Sequence, residues 1–194
     1  MISKKKDISR SGINRNGFTF ETVAQSMRDL YFDLRSRVTE KWQRCLPFNE
    51  LFLDRWEKAK YLGFGKGSSI YDTSYVYGDV RVGSNTWIGP LTLLDGSGGL
   101  TIGDNCSISS GVQIYTHDSV NWAISGGKET TDYAPVVIGS RCYIGPNTII
   151  GKGVTIGEGS IIGAMSLVLT DIPPCSKAWG NPAKIMGSVN PDIF

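Results

Sequence analysis

The amino-acid sequence predicts a mainly β protein, in which a parallel β-helix follows a helical N-terminal extension. Three observations lead to this prediction. From residue 70 onward an aliphatic side chain recurs every six residues. Glycine supplies 24 of the 194 residues, well above the usual share of about 7%. Before residue 63 the apolar side chains instead follow the three-and-four spacing of an α-helix.

The first segment predicts helices over residues 19 to 62. Its apolar side chains would lie on one helical stripe, which comprises Val23, Met27, Leu30, Leu34, Val38 and Trp42. Thr22, with Gln25 three residues later, is a candidate cap for the first helix. Pro47 ends this segment, and a second short helix is predicted from about Asn49 to Leu62.

The six-residue period predicts how the β-helix is built. Each hexad forms one short face and its corner, and three hexads close one coil. The aliphatic side chain fills the axis, and the glycine that often follows it allows a sharp corner and a close approach of the backbone. The aliphatic positions are Ile70, Val76, Val82, Ile88, Leu94, Ile102, Ile108, Ile114, Ile138, Ile144, Ile150, Ile156, Ile162 and Val168.

The fifth position of each hexad holds a small or medium side chain that fits inside the turn. These positions include Thr86, Thr92, Cys106, Cys142, Thr148, Val154, Ser160 and Ser166. Because Cys106 and Cys142 share this phase, we interpret them as small buried residues rather than as nucleophiles.

The period is interrupted twice. The step from Leu94 to Ile102 is eight residues, which predicts a small glycine-rich bulge outward at residues 95–99. Between Ile114 and Ile138 the aliphatic positions hold glycine and aspartate, which predicts a loop excursion near residues 118–135. His117, the single histidine of the chain, lies at the root of this excursion, where a rigid coil passes into a loop. Proton transfer at neutral pH would fall to this residue.

Composition narrows the range of partners. The net charge is only +2, which argues against binding to a nucleic-acid backbone. The four cysteines have no metal-ligand spacing, and no metal is expected. The polar N-terminal start and the lack of a run of eighteen apolar residues favour a cytoplasmic protein without a membrane span. Residues 1–44 hold ten Lys+Arg against five Asp+Glu, so peripheral contact with the inner membrane face is an open alternative to simple helix packing.

Three segments resemble left-handed β-helix acyltransferases of the hexapeptide-repeat family. They read LTIGDNCSISSGVQIYTHD, PVVIGSRCYIGPNTIIGKGVTIGEGSIIGAMSLV and TDIPPCSKAWGNPAKIMG. Within the family the chain is most similar to sugar acetyltransferases, such as the maltose and galactoside enzymes and those of lipopolysaccharide and capsule synthesis. The resemblance implies a helical extension at residues 1–65, the acyltransferase domain at residues 66–187 and a tail at residues 188–194.

The resemblance also implies an activity. Acetyl would pass from acetyl-CoA to a hydroxyl or amino group of a sugar, in a homotrimer whose sites lie between neighbouring β-helices. His117 would be the general base. A carbonyl or carboxylate would hold its second ring nitrogen, and the adjacent Asp118 is one candidate for that role.

The acceptor site carries over less completely. Asp95 matches an aspartate near the acceptor, although a turn residue is an equal alternative. The acceptor asparagine of the family falls near Pro90 here, which puts the usual simple-sugar substrates in doubt. Trp122 and Tyr133 would form an apolar wall for the sugar ring or would pin the loop.

For CoA, the resemblance assigns the late coils and the C-terminal turn. The implied contacts are Tyr143, Gly145, Pro146, Gly163, Ala164, Leu169, Thr170, Asn181, Pro182 and Lys184. Lys184 would meet a phosphate, as would Lys152 with lower weight, and the Gly145 amide would stabilise the oxyanion. Two alternatives stay open, namely a xenobiotic acetyltransferase of the same fold and a β-helix scaffold without catalytic activity.

Overall fold

The computed structural model describes residues 19–190, most of which form a parallel β-solenoid of about six turns. The four helices in this range are α1 (Phe20–Trp42), α2 (Phe48–Phe52), α3 (Arg55–Tyr61) and α4 (Val120–Ile124). The sixteen strands in this range are β1 (Ser69–Ile70), β2 (Tyr75–Val82), β3 (Trp87–Ile88), β4 (Leu93–Ile102), β5 (Ser107–Ile108), β6 (Gln113–Ile114), β7 (His117–Asp118), β8 (Asp132–Tyr133), β9 (Val136–Ile138), β10 (Tyr143–Ile144), β11 (Ile149–Ile150), β12 (Thr155–Ile156), β13 (Ile161–Ile162), β14 (Leu167–Val168), β15 (Ser176–Gly180) and β16 (Ala183–Ser188).

The register confirms the predicted coil of three hexads. Strands β1, β3, β5, β10, β13 and β15 stack in parallel on one face, and a step between neighbours such as Tyr143 and Ile161 is eighteen residues. A second face contains β6, β11 and β14, and a third contains β9 and β12. Strand β4 belongs to both, since its first residues pair with β6 and its last with β9. In the regular coils the chain therefore returns to the same face every third hexad.

The predicted core is confirmed. All the aliphatic positions from Ile70 to Val168 are buried, except that Val76 is only partly buried. The small side chains at the fifth positions are buried as well, and several bond to a carbonyl of the next coil. The Thr86 hydroxyl donates to Gly103 O at 2.8 Å, and the thiol of Cys106 donates to Gly139 O at 3.1 Å. These groups satisfy the backbone at the corners without widening the coil.

The glycines after the aliphatic positions serve the close stacking of coils. A Cβ at Gly139 would lie 2.6 Å from Glu158 N, and one at Gly145 would lie 2.5 Å from Ala164 N. Neither glycine has a positive φ. The left-handed conformation falls later in the corner, for example at Asn105 and Asn147, both with φ of 55°. Asparagine tolerates this region better than most residues.

The N-terminal helices differ from the prediction in their boundaries. The cap of α1 is Thr19, whose hydroxyl accepts a bond from Thr22 N, while the Thr22 hydroxyl bonds to the Thr19 backbone. The predicted cap at Thr22 and Gln25 is therefore wrong. The expected second helix is broken into α2 and α3, because Asp54 leaves the helix and caps α3 through Trp56 N at 2.8 Å.

The chain divides into two units between Phe52 and Leu53, earlier than the boundary expected at residue 65. Helix α3 belongs to the β-helix unit because it packs on the first coil. The Lys58 ammonium donates to the carbonyls of Asp72 and Ser74 at 2.9 and 3.1 Å, and Ala59 is buried.

In the first unit, no residue of α1 is buried, and of the predicted apolar stripe only Leu34 and Val38 are partly buried. Residues 19–52 hold five Lys+Arg and five Asp+Glu, and much of the basic excess that suggested membrane contact lies outside the described residues. None of the helices among residues 19–190 is long and apolar enough to cross a bilayer.

The C-terminal end of the β-helix is closed by a hairpin. Strand β16 folds back antiparallel on β15. Ser188 still belongs to β16, and the buried Val189 donates its amide to Cys175 O at 2.7 Å. The expected tail from residue 188 therefore begins later, and residues 191–194 lie outside the described range.

Candidate active site

Asp95 is a buried carboxylate in β4. The prediction of an outward bulge is wrong for this residue, because Asp95 pairs in register with Tyr77 and has 1% of its surface exposed. The register with β2 shifts only beyond Gly78, so the two extra residues of β4 fall after Gly96. Ser97 is the first residue of this segment that is exposed. The carboxylate is thereby directed into the protein.

Four donors surround the Asp95 carboxylate. Ser97 N donates to Oδ1 at 2.9 Å, and Thr116 N donates to Oδ2 at 2.8 Å. The Thr116 hydroxyl lies 3.2 Å from Oδ2, and His117 Nδ1 lies 2.6 Å from the same oxygen. Burial alone would raise the pKa of Asp95, but the hydrogen bonds from Ser97, Thr116 and His117 outweigh it and hold the pKa well below its usual range. Asp95 is therefore an anion at neutral pH.

This carboxylate fixes the tautomer of His117. An anionic carboxylate can only accept, so the proton of the neutral imidazole must lie on Nδ1. The other ring nitrogen, Nε2, is then left with a free lone pair. The His117 side chain is 39% exposed, so the ring is held from behind while part of it reaches solvent. The pair is oriented as a general base requires.

A carbonyl or carboxylate was expected to hold the second ring nitrogen of His117, with Asp118 as one candidate. In the structure this group is the Asp95 carboxylate. The sequence contained a signal for this pair. Leu93 of β4 pairs with Gln113 of β6 one coil later, so Asp95 and His117 must lie near the same corner. Counting coils across the eight-residue step would have brought the two residues together.

The excursion is a small structured element. It contains α4 and an antiparallel pair in which His117 faces Tyr133 and Asp118 faces Asp132. The rings of His117 and Tyr133 stack with centroids 5.7 Å apart and planes inclined by 28°. Tyr133 remains 56% exposed beside the imidazole. Trp122 lies on α4 with about half of its surface exposed.

Asp118 has a different partner. Its carboxylate accepts from Lys152 Nζ at 2.9 Å, and Lys152 also bonds to Asp132. The bond from the Lys152 ammonium holds the pKa of Asp118 below its usual value, and both aspartates raise the pKa of Lys152. The structure therefore engages Lys152 with two carboxylates, whereas the sequence suggested a phosphate contact.

The residues assigned to CoA form a band on the outside of the late coils. Tyr143, Ala164, Leu169 and Thr170 are exposed, and Pro146 and Gly163 are partly so. The Ala164 amide has no acceptor among the described residues. Gly145 is buried, and its amide donates to Ile162 O at 2.8 Å, so the predicted use of this amide for the oxyanion is wrong. The stacking of coils already occupies it.

The C-terminal signature lies at the turn of the last hairpin. Asn181 and Pro182 connect β15 to β16 and are exposed, and Lys184 pairs in register with Trp179. The Lys184 ammonium makes no ion pair with any of residues 19–190. Within this same range, no group of three His, Cys, Asp or Glu side chains is arranged to hold a metal ion.

Comparison with known families matches two parts of the β-helix. The model described as bacterial transferase hexapeptide (six repeats) matches residues 135–170, and the hexapeptide repeat of succinyl-transferase matches residues 79–116. The two matches lie on either side of the excursion. Among curated proteins, a probable serine acetyltransferase of Oryza sativa subsp. japonica is 40% identical over 105 residues, which are 54% of this chain and 33% of that protein. The chain thus spans about a third of the length of this curated relative.

Solved structures show the same fold. A hexapeptide-repeat-containing acetyltransferase from Vibrio cholerae O1 biovar eltor, complexed with acetyl-CoA, is 28% identical with a TM-score of 0.56. The alignment covers 88% of this chain and 91% of that one. AntD, an N-acyltransferase from Bacillus cereus in complex with dTDP and 3-hydroxybutyryl-CoA, is 24% identical with a TM-score of 0.59, over 73% of this chain and 93% of that one.

Proposed function

Because two parts of the β-helix match hexapeptide-repeat models of bacterial transferases, we propose that the chain is an acetyl-CoA-dependent acetyltransferase of this family with His117 as general base. The acceptor is a hydroxyl or amino group of a sugar, and lipopolysaccharide, O-antigen or capsule synthesis is the proposed setting. The observation that carries the proposal is the 2.6 Å bond between Asp95 Oδ2 and His117 Nδ1. A buried anion that fixes an imidazole in a rigid coil serves proton transfer better than it serves folding.

The mechanism follows from the tautomer. His117 Nε2 accepts the proton of the acceptor as its oxygen or nitrogen attacks the thioester carbonyl. The imidazolium that forms is stabilised by Asp95, which stays ionised. The imidazolium then returns a proton to the CoA sulfur, which leaves as the thiol. Transfer is direct, and the acetyl group is never bound to the protein.

Two parts of the protein fit the substrates. The relative solved with acetyl-CoA supports CoA as the acetyl donor, and in this chain the exposed band with the free Ala164 amide suits an extended chain of amides. The Lys184 ammonium is suited to a phosphate. Tyr133, beside the imidazole, offers a ring face on which a sugar can pack.

A homotrimer is part of the proposal. Large apolar side chains are exposed on the outer faces of the β-helix, among them Trp87, Tyr143 and Met165. Large apolar side chains exposed together are typical of a surface that a second copy covers. Sedimentation equilibrium should therefore give three times the chain mass. A mass equal to that of one chain at micromolar concentration would contradict the proposal that the active site lies between neighbouring copies of the β-helix.

The test is acetyl-CoA-dependent release of free thiol over a panel of acceptors. The panel contains nucleotide-linked amino sugars, nucleotide-linked neutral sugars and bacterial oligosaccharides. The His117→Ala protein should lose about two to four decades of turnover, the usual scale for a general base, while its affinity for acetyl-CoA stays unchanged. Equal activity of the His117→Ala protein would overturn the assignment.

A second acceptor class is favoured by one observation. The 40% identity to a probable serine acetyltransferase makes the hydroxyl of L-serine a candidate acceptor. L-Serine therefore belongs in the panel, together with a hydroxylated xenobiotic. Thiol release with L-serine alone would assign the protein to amino-acid acetylation, and the base and its tautomer would be unchanged. Failure to bind acetyl-CoA at all would favour a scaffold role.

A further inference from the structure

Lys152 connects the regular coils to the excursion. It follows β11 in the turn before β12, in a part of the chain that keeps the six-residue period. Its ammonium lies 2.9 Å from Asp118 Oδ2 and also bonds to the Asp132 carboxylate. These two aspartates are direct partners across the β7–β8 pair. One cation from the scaffold therefore holds both strands of the excursion's hairpin.

The same hairpin carries the candidate catalytic base. The next pair along it is His117 and Tyr133, whose rings stack 5.7 Å apart. Backbone bonds extend this hairpin and tie it to a coil: Ala134 N donates to Thr116 O at 2.9 Å, one pair beyond His117 and Tyr133, and Gly153 N donates to Ala134 O at 3.3 Å. A change in the position of β8 would therefore change the position of the His117 imidazole.

The hairpin brings two like charges together. Like charges directly opposite each other in an antiparallel pair repel, and a hairpin with two residues in each strand is marginal without support. Asp118 and Asp132 would face each other as two anions if the ammonium were absent. These ion pairs lie outside the core and are accessible to solvent, so they add little to global stability, and their removal should open the hairpin without unfolding the coils.

We propose that Lys152, Asp118 and Asp132 form a charge clamp that closes the β7–β8 hairpin and thereby positions His117 and Tyr133 at the acceptor side of the active site. Lys152 is a positioning residue in this account and contacts neither substrate. The proposal rests on the proposed function for its kinetic consequence and on the geometry alone for its structural consequence. The two can be tested separately.

The kinetic test compares Lys152→Met with Lys152→Arg. Misplacement of a base by about 1 Å is sufficient for a loss of up to about a hundredfold, so kcat of the Met variant should fall by roughly ten- to a hundredfold. Its KM for acetyl-CoA should not change, and Lys152→Arg should recover most of kcat. Lys128→Met is the matched control, since Lys128 lies on the same excursion and makes no ion pair with residues 19–190.

A further variant separates charge from packing. In Lys152→Met combined with Asp118→Asn and Asp132→Asn, neither the cation nor the two anions remain, so the repulsion is absent. Its kcat should exceed that of Lys152→Met alone. An equal or lower kcat would show that the lysine acts through its aliphatic stem, and a raised KM for acetyl-CoA in Lys152→Met would make Lys152 a phosphate contact. Either result would overturn the clamp.

The structural test needs no acceptor. His117 is the single histidine of the chain, so an untagged protein labelled with ¹⁵N-histidine gives one set of imidazole signals. The clamp predicts that Lys152→Met broadens or doubles this set while Lys128→Met does not. One sharp, unshifted set in Lys152→Met would overturn the clamp. If the wild-type protein showed no acetyl transfer to any acceptor, the proposed function would fail and this spectrum would still decide on the clamp.

Discussion

The late coils and the interrupted coils of the same β-helix use their buried positions differently. From Ile138 to Val168 each buried position holds an aliphatic or small side chain, and the coils follow the repeat without an inserted residue. From Leu93 to Tyr133 the repeat is broken twice, and a carboxylate is buried at Asp95. In the first region the buried side chains serve the stacking of one coil on the next, whereas the second region places a carboxylate beside a histidine.

This difference shows where chemistry enters a repetitive fold. A strict hexad leaves no room for a functional group, because its inward positions fill the axis and its glycines are in contact with the next coil. Asp95 lies just before the two extra residues of β4, and Ser97, the first residue after Gly96, donates its amide to the carboxylate. The excursion then provides Tyr133 to cover the imidazole. The regular coils supply rigidity, and the irregular ones supply His117 and its carboxylate.

The largest effect should come from the charged pair in the interrupted region. In Asp95→Asn, the amide offers a donor as well as an acceptor and no longer fixes the proton on Nδ1. We expect kcat to fall by about two to four decades, as for a base held in the wrong tautomer. Steady-state thiol release would show this loss. Asp171→Asn, which alters an exposed carboxylate that accepts from Thr155 N at 2.7 Å, is the control and should keep wild-type kcat.

The next effect concerns the regular coils and is one of stability. In Gly139→Ala, the new Cβ would lie 2.6 Å from Glu158 N, so the two coils must separate. Overpacking of this kind costs about 1–3 kcal/mol in the free energy of unfolding. Urea denaturation would measure it. Gly187→Ala meets no atom within 4 Å and should be neutral, and equal stabilities of the two variants would argue against backbone contact as the role of these glycines.

A third effect links the buried charge to acid stability. The folded protein keeps Asp95 ionised below the pH of about 3.9 at which an unfolded aspartate takes up a proton. The unfolded state then binds more protons, and stability falls with pH by up to about 1.4 kcal/mol per pH unit below that value. Asp95→Asn lacks this contribution. The difference in melting temperature between wild type and variant should therefore shrink between pH 5 and pH 3, and a constant difference would contradict the lowered pKa.

The smallest effect should come from the aromatic cover. Tyr133→Ala removes the ring face on which the sugar is proposed to pack, and we take a contact of this kind to contribute about 0.5–1.5 kcal/mol. We expect a two- to tenfold rise in the KM of the acceptor, measured with acetyl-CoA at saturation. Trp122→Ala is the comparison, because Trp122 was predicted to share this wall but lies on α4. A larger effect of Trp122→Ala than of Tyr133→Ala would move the acceptor toward the helix.

The regular half of the molecule was predictable from the sequence because its period is local. Each repeated Ile and each corner glycine can be assigned to its place in the coil from the local sequence alone, and the register follows by counting residues. The role of Asp95 was not predicted, since the eight-residue step was interpreted as an outward bulge rather than as a displacement of register. The attachment of Lys152 to the excursion was missed for a related reason. It depends on how an irregular loop folds back, and no repeat encodes that.

The boundaries of the helices show a similar limit. The cap of α1 was predicted at Thr22, and in the structure it is Thr19. Both residues are threonines that can cap a helix, so the local sequence did not distinguish them. Helix α3 joined the β-helix unit because Lys58 donates to the carbonyls of the first coil. Such contacts depend on a partner distant in the sequence and could not be predicted from a local pattern. The apolar stripe of α1, in contrast, was predicted from the spacing of its residues alone.

The most direct test of the central claim is the protonation of His117 itself. Long-range ¹H–¹⁵N correlation spectra of the untagged, ¹⁵N-histidine-labelled protein, recorded at a pH at which the ring is neutral, distinguish the two tautomers. The account predicts the proton on Nδ1 and a free lone pair on Nε2 in the wild-type protein, with loss of this preference in Asp95→Asn. A wild-type imidazole protonated on Nε2 would contradict it, because the nitrogen offered to the acceptor could not then accept a proton.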